Sequence, residues 1–113
     1  MALLEQEFHR AMFEAYKRAK SEYRYNATRF LQMLDEHGGV STAHILLQAE
    51  GVSEGYIALW ERGGLEITVE SLVLNPRWKS LFSPEELQTA RRRLQKYDFD
   101  VAVLEAVYAA KQA

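Results

Sequence analysis

The sequence predicts an all-α fold: a compact single-domain bundle of about six to seven helices, with a long N-terminal helix and a helix-turn-helix-like centre. Three observations lead to this prediction. Residues that favour helix N-caps recur along the chain, each with an apolar residue just before it and another at the fourth helical position. Glycines stand where the preceding helices should end. Near the N-terminus, apolar residues recur at intervals of three and four.

The length and composition limit the protein class. The chain has 113 residues, enough for one domain with its own core. We divide it into a long N-terminal helix (1–25), a helix-turn-helix-like core (26–97) and a C-terminal helix (98–113). The absence of cysteine excludes disulfides and thiolate chemistry, and the formal net charge of -2 means that nucleic-acid binding would need a local basic patch.

No targeting or membrane segment is evident in the sequence. Glu5 and Glu7 interrupt the N-terminus where a signal peptide needs an unbroken apolar run. No apolar run approaches the length of a bilayer span. We therefore expect a cytoplasmic protein without a membrane partner.

The first predicted helix runs from Ala2 to Arg24. One of its faces is a stripe of apolar residues that must be buried: Leu4, Phe8, Ala11, Met12, Ala15, Ala19 and Tyr23. A helix of this length is about 35 Å long, which is more than the rest of a small domain need cover. Part of the stripe would then pack against another chain; the alternative is that all of it covers the monomer core.

Two short helices are predicted next, Ala27–His37 and Thr42–Ala49. The pair Gly38-Gly39 ends the first of them, and Ser41 is the predicted N-cap of the second. Val40 and Ile45 would form a hydrophobic staple around that cap.

The next two predicted helices are Glu54–Arg62, capped by Ser53, and Val69–Leu74, capped by Thr68. Gly51 is expected to form a left-handed turn before Ser53. The cap at Thr68 argues against a strand at 65–69, although β-branched residues occur there.

The remaining elements are a turn and two helices. Pro76 ends the preceding helix, and a turn anchored by Trp78, Leu81 and Phe82 follows. The most strongly marked helix is Pro84–Lys96, because Ser83 and Glu86 form a capping-box pair around Pro84.

The last predicted helix, Val101–Ala110, is capped by Asp100. It is apolar on nearly all sides, with only Glu105 and Lys111 charged nearby, so we expect burial on both faces. Together with the first helix it could form a homodimer interface or bind another protein.

The centre of the chain resembles the helix-turn-helix of the phage-repressor-like (XRE-type) DNA-binding family, over Arg29 to Leu74. The matching residues are Arg29-Phe-Leu-Gln-Met-Leu34, the Gly51-Val-Ser turn, Ile57, Trp60-Glu61, Gly63 and Thr68-Val-Glu-Ser-Leu72. Independently of the family, we expect Ile57 and Trp60 to pack the second helix onto the first. Leu47 departs from the resemblance, because the family usually has a small residue at the helix crossing.

A wider similarity covers Tyr25 to Tyr97. This segment is similar to an uncharacterised group of small bacterial helical domains that share the pattern TRFLQML…GG…GVS.GY…LWE.G. The similarity implies a bacterial helical domain and no particular activity.

The helix-turn-helix resemblance implies that Ser53, Tyr56 and Arg62 face DNA. Bases are usually read by Arg, Lys, Asn or Gln near the start of the recognition helix. Here Glu50 and Glu54 occupy that start, and Arg62 at the far end is the only basic residue. The alternative is that the helix-turn-helix is only a structural scaffold.

Basic residues that could hold a phosphate backbone occur in two further groups. Those of the first helix are spaced by seven residues and those of the sixth are consecutive: Arg10, Lys17 and Arg24, and Arg91, Arg92 and Arg93. The alternative is a solvated surface with local ion pairs.

The sequence predicts no catalytic residue, no metal site and no cofactor. The histidines are His9, His37 and His44, and they lack the further ligands that a metal site requires. Two non-catalytic hypotheses follow: a DNA-associated or regulatory protein, or a protein-interaction or assembly module.

Overall fold

Seven α-helices and two 3₁₀-helices form the part of the chain that the computed structural model describes, residues 3–112. In chain order they are α1 (Leu3–Glu22), α2 (Thr28–His37), α3 (Gly39–Gln48), α4 (Glu54–Glu61), the first 3₁₀-helix (Leu65–Ile67), α5 (Val69–Val73), the second 3₁₀-helix (Pro76–Leu81), α6 (Pro84–Lys96) and α7 (Val101–Gln112). No strand occurs in these described residues. The predicted all-α bundle is confirmed.

Helix α1 contributes its predicted apolar stripe to the core. Phe8, Met12, Ala15 and Ala19 are buried. The ring of Phe8 meets the rings of Trp78 and Phe82 edge-on, with centroids 5.4 and 5.2 Å apart. The molecule measures 36 × 32 × 28 Å, so a 20-residue helix of about 30 Å fits along it. The chain itself therefore covers the centre of the stripe.

One hydrophobic cluster joins all seven α-helices and both 3₁₀-helices of the described residues. Its buried members include Leu34 of α2, Leu47 of α3, Tyr56 of α4, Val73 of α5 and Leu94 of α6. The closest helix packing is between α5 and α6 and between α1 and α3. The core therefore lies between α1 and α6, with α3 and α5 filling the centre.

Four of the predicted N-caps are confirmed. The Oγ atoms of Ser53 and Ser83 accept backbone hydrogen bonds at 3.1 Å from Tyr56 and Glu86, and Thr68 and Asp100 cap α5 and α7 in the same way. The Ser83 capping box is complete, because Glu86 also accepts from the Ser83 N–H at 3.0 Å.

The predicted cap at Ser41 is wrong. Helix α3 begins at Gly39, with Gly38 (φ 81°) at its N-cap position, so Ser41 lies inside the helix. The early start is possible because the Gly39 N–H donates to Nδ1 of His9 at 2.9 Å. The Val40–Ile45 staple therefore does not frame a helix start, and Ile45 is 44% exposed.

The ends of α1 and α7 differ slightly from prediction. The predicted start of α1 at Ala2 lies outside the described residues. Its C-terminus is at Glu22, before the predicted Arg24, because Arg24 has a positive φ of 55°. The Tyr25 N–H then donates back to the Ala19 carbonyl at 2.9 Å. Helix α7 extends past its predicted end, to Gln112.

Candidate functional site

The central helix-turn-helix consists of α3, the turn at 49–53 and α4. Ala49 leaves α3 in an extended conformation (φ -68°, ψ 156°), and Ser53 caps α4. The expectation that Gly51 forms a left-handed turn is wrong: within the described residues, Gly38 and Gly63 are the glycines with positive φ. The turn is therefore made without a left-handed residue, and its first and last residues, Ala49 and Ser53, are extended.

Arg93 of α6 holds the end of α3 in place. Its guanidinium donates to the carbonyls of Leu46 at 3.0 Å and Ala49 at 2.7 Å, and to Oε2 of Glu70 at 3.0 Å. It is 8% exposed. The expectation that Arg93 contacts phosphate is wrong, because its donors already satisfy helix-end carbonyls and a buried carboxylate.

Glu70 is the buried partner of Arg93. Burial raises the pKa of its carboxyl, while the hydrogen bonds from its own backbone N–H and from Arg93 oppose that rise. Sequence reasoning missed this pair. The available signal was an acidic residue inside the apolar run of α5, opposite a helix with three consecutive arginines.

Tyr56 is a core residue. It is 2% exposed, and its hydroxyl donates to the Arg93 carbonyl at 3.0 Å. Burial raises its pKa. The expectation that Tyr56 faces DNA is therefore wrong: its place on α4 turns it toward α6, where its ring meets Tyr97 edge-on at 5.1 Å.

Ser53 and Arg62 lie at opposite ends of α4. Ser53 is half-buried, and its Oγ accepts the capping hydrogen bond. Arg62 is exposed, donates to the Ala58 carbonyl at 2.9 Å and places its guanidinium 5.3 Å from the centroid of the Tyr25 ring. Of the three predicted DNA-facing residues, Arg62 is therefore the one whose side chain is exposed.

Trp60 does not pack α4 onto α3 as the sequence predicts. It is 46% exposed, and its ring meets Tyr97 edge-on at 5.2 Å, at the end of α6. Helix α4 packs most closely on the first 3₁₀-helix. Leu47, which replaces the small residue usual at the crossing, is buried in the main core. The contact between α3 and α4 is accordingly sparse.

The other predicted phosphate-contacting residues are spread over two helices. Lys17 pairs with Glu14 at 2.9 Å, and Arg91 pairs with Glu105 at 2.6 Å. Arg10, Arg24 and Arg92 are exposed. Helix α1 packs mainly on α3 and α6 mainly on α5, so the two basic groups belong to helices that do not pack closely on each other.

Two of the three histidines, His9 and His44, have hydrogen-bond partners on other helices. His9 accepts from the Gly39 N–H, and Nδ1 of His44 lies 2.5 Å from Oε2 of Glu86. Partial burial works against the charge of Glu86, but hydrogen bonds from Ser83, His44 and Gln48 outweigh it and hold the pKa of Glu86 below its usual range. Across residues 3–112, no group of three or more His, Asp or Glu side chains could hold a metal ion.

A cavity of about 370 Å³ lies beside the helix-turn-helix. Its walls come from five α-helices, α1 to α5, and from the α1–α2 link and the first 3₁₀-helix. Most of the side chains that line it are apolar, among them Ala15, Ala19, Phe30, Met33 and Leu59.

Helix α7 has one buried and one exposed face. Val101 and Leu104 are buried, and Tyr108 donates to the Ser71 carbonyl at 2.9 Å. On the outer face Val103 is 58% and Val107 is 44% exposed. The expected burial on both faces therefore does not occur within the described chain.

No protein-family model, curated protein or solved structure matches this chain. The XRE-type resemblance therefore stays a prediction. No helix of the described residues is both long enough and apolar enough to cross a membrane.

Proposed function

We propose that this protein is a non-catalytic assembly module, in which the helix-turn-helix is a scaffold and α7 joins two copies of the chain. The observation that carries the proposal is the outer face of α7. Up to Lys111, the exposed residues of α7 are small or β-branched and apolar: Ala102, Val103, Ala106, Val107, Ala109 and Ala110. They recur at intervals of three and four, the spacing of a helix-pairing seam.

A second copy suits this face better than an unlike partner. Two equal helices in antiparallel orientation can place the valines of one against the alanines of the other, as an isologous two-fold contact requires. Neither Glu105 nor Lys111 lies on the seam. At its ends, Lys111 of one copy would approach Asp100 of the other copy, so the flanking charges are complementary.

The size of the seam limits its strength. Helix α7 has 12 residues and is about 18 Å long, so it offers less than the roughly 800 Å² per partner of a standard stable interface. We therefore expect a weak dimer whose population rises with protein concentration.

Sedimentation velocity over a wide concentration range tests the proposal. The wild-type mass should rise from monomer toward dimer. The double variant V103E/V107E should stay monomeric, because each dimer would bury four carboxylates. Both valines are exposed, so its circular dichroism should match the wild type.

The control is Leu3→Glu, which removes another strongly exposed apolar side chain, at 69%, from α1. It should dimerise like the wild type. A wild type that is monomeric at every concentration contradicts the proposal. If Leu3→Glu dissociates the dimer and V103E/V107E does not, the interface is on α1 and the proposal is wrong.

DNA association is the second proposed function, and one observation favours it. Arg62 lies over the ring of Tyr25, which follows Arg24 in the chain, and Arg29 lines the same cavity as Tyr25. Within the described residues, none of these three arginines forms an ion pair with a carboxylate. Such cations could contact phosphates without reading bases. Arg62 lies at the C-terminal end of α4, so base reading by the start of that helix is not part of this proposal.

A gel shift on mixed-sequence duplex at low salt tests DNA association. Arg62→Ala should weaken binding and reduce its salt dependence, whereas Lys79→Ala, a change at an exposed lysine on another segment, should weaken it less. The absence of any shift at low salt would contradict DNA association.

A further inference from the structure

We propose that the cavity between α1, α2 and α4 is a binding site for a small, uncharged, apolar molecule, such as a bicyclic aromatic compound. The inference goes beyond assembly and is independent of it, because α7 contributes no residue to the walls. It rests on the origin of the space, the state of its polar groups and its volume.

The space exists because α1 presents alanines to it. Ala15 and Ala19 are 7% and 3% exposed, so their methyl groups lie inside the molecule, and Ala19 belongs to a small buried cluster with Leu59 and Ile67. Phe30 and Met33 of α2 also line the space. An interior that is otherwise close-packed thus keeps an apolar space where larger side chains would normally interdigitate.

The buried polar side chains in the walls already have partners. The Tyr56 hydroxyl donates to the Arg93 carbonyl, the Thr68 hydroxyl donates to the Leu65 carbonyl at 2.7 Å, and Glu70 pairs with Arg93. Among the described side chains, no buried polar atom lacks a hydrogen-bond partner. A ligand would therefore find no free donor or acceptor in the interior, which favours an apolar molecule.

The rim does not select a charged ligand either. Arg29 and Glu54 both line the opening, and their charges are opposite. A ligand with a net charge would be attracted by one of these side chains and repelled by the other. This is the reason for specifying an uncharged ligand.

The volume sets the size class. A cavity of about 150 Å³ holds one benzene molecule. The present volume of about 370 Å³ falls in the range of small-molecule pockets and allows a ligand of two fused rings. Access is available past Ile45 and Ala49 of α3, which are exposed and also line the cavity.

Titration calorimetry with indole, together with its charged relatives tryptamine and indole-3-acetate, tests the proposal on the whole chain. We expect saturable binding of one indole per chain and a rise in Tm at saturation. Both charged relatives should bind at least about tenfold more weakly, because the desolvation of their charge has no compensating partner inside.

Two variants should remove binding by different routes. Ala19→Leu fills the interior from α1, and Ala49→Phe covers the entrance from an exposed position where the fold tolerates a larger side chain. Each should weaken indole binding by at least about tenfold. Ala58→Leu is the matched control: it makes the same change on α4 at a residue that does not line the cavity, and its affinity should equal that of the wild type.

The outcomes decide the proposal in both directions. The proposal is supported if Ala19→Leu and Ala49→Phe both weaken indole binding and Ala58→Leu binds indole as tightly as the wild type does. The proposal is overturned if indole does not saturate the wild type, if Ala49→Phe binds normally, or if Ala58→Leu loses binding as well. If none of the three probes binds, the small-molecule proposal is wrong, and the cavity would instead accept apolar side chains of a partner protein.

Discussion

At the scale of single residues, Gly39 allows α3 to lie close to the backbone of α1. A Cβ on Gly39 would lie 2.6 Å from the Cα of His9, so the start of α3 can touch the α1 backbone only without a side chain. The sequence marks Gly39 only as part of a helix stop. Its role in packing depends on α1. The Gly39 N–H donates a hydrogen bond to His9, which lies thirty residues earlier in the chain.

Gly39→Ala should destabilise the protein by about 1–3 kcal/mol, because the added methyl group would push two backbones apart. Gly51→Ala is the matched control. A Cβ there meets nothing within 4 Å, and φ is not positive. It should change stability slightly, with a gain of about 0.4–1 kcal/mol if the loop accepts alanine. Urea unfolding measures both, and equal stability of the two variants would contradict this reading.

Arg93 is the second residue with a large expected effect. Arg93→Met should cost about 3–5 kcal/mol, because it leaves Glu70 as a buried unpaired acid. Burial already raises the pKa of Glu70 in the folded state above its ordinary unfolded value. The folded state therefore takes up the proton more readily, and stability falls as pH rises through that window.

The deficit of Arg93→Met should therefore shrink as the pH is lowered from neutral toward the ordinary pKa of glutamate. Urea unfolding at several pH values measures it. The double variant E70Q/R93M should lose less stability than R93M alone at neutral pH, although it still lacks the bonds to Leu46 and Ala49. A pH-independent deficit would contradict the assigned role of Glu70.

At the scale of elements, caps explain which helix boundaries the sequence predicts well. Ser53, Thr68, Ser83 and Asp100 act through neighbours three residues away, so the local sequence contains the whole interaction. Ser41 has the same local pattern, yet the contact of Gly39 with α1 starts the helix earlier.

Ser83→Ala should cost about 1 kcal/mol, within the range measured for N-caps, because it removes the bond to the Glu86 N–H. Ser41→Ala should change stability by less than about 0.5 kcal/mol, since Ser41 is an exposed interior residue of α3. Thermal and urea unfolding compare the pair. A loss at Ser41 equal to that at Ser83 would restore the original cap assignment.

At the scale of the whole molecule, periodicity and punctuation predict the fold class, but the site depends on contacts between distant residues. The predicted DNA-facing set fails at Tyr56 because helix periodicity does not specify which neighbour a face will meet. The cavity was not predicted, since it results from two alanines of α1 facing helices that follow much later. Such spaces are properties of the packed chain.

Because one core joins every described helix, the molecule should unfold in a single cooperative transition. The two tryptophans allow a direct test, as Trp78 is 5% and Trp60 46% exposed. In Trp60→Phe the fluorescence reports Trp78 alone, and its midpoint in urea should coincide with the loss of helical circular dichroism. Separate midpoints would reveal an independently melting segment.

The three hydrogen bonds that Arg93 donates have a consequence for how the helix-turn-helix could be used. They join α6 to Leu46 and Ala49 at the end of α3, more than forty residues earlier in the chain, and to Glu70 of α5. The end of α3, where the turn begins, is therefore held by a side chain that lies outside the helix-turn-helix. A fragment that ends after α5 should therefore remain largely unstructured, and during folding the turn should become ordered only when α6 docks.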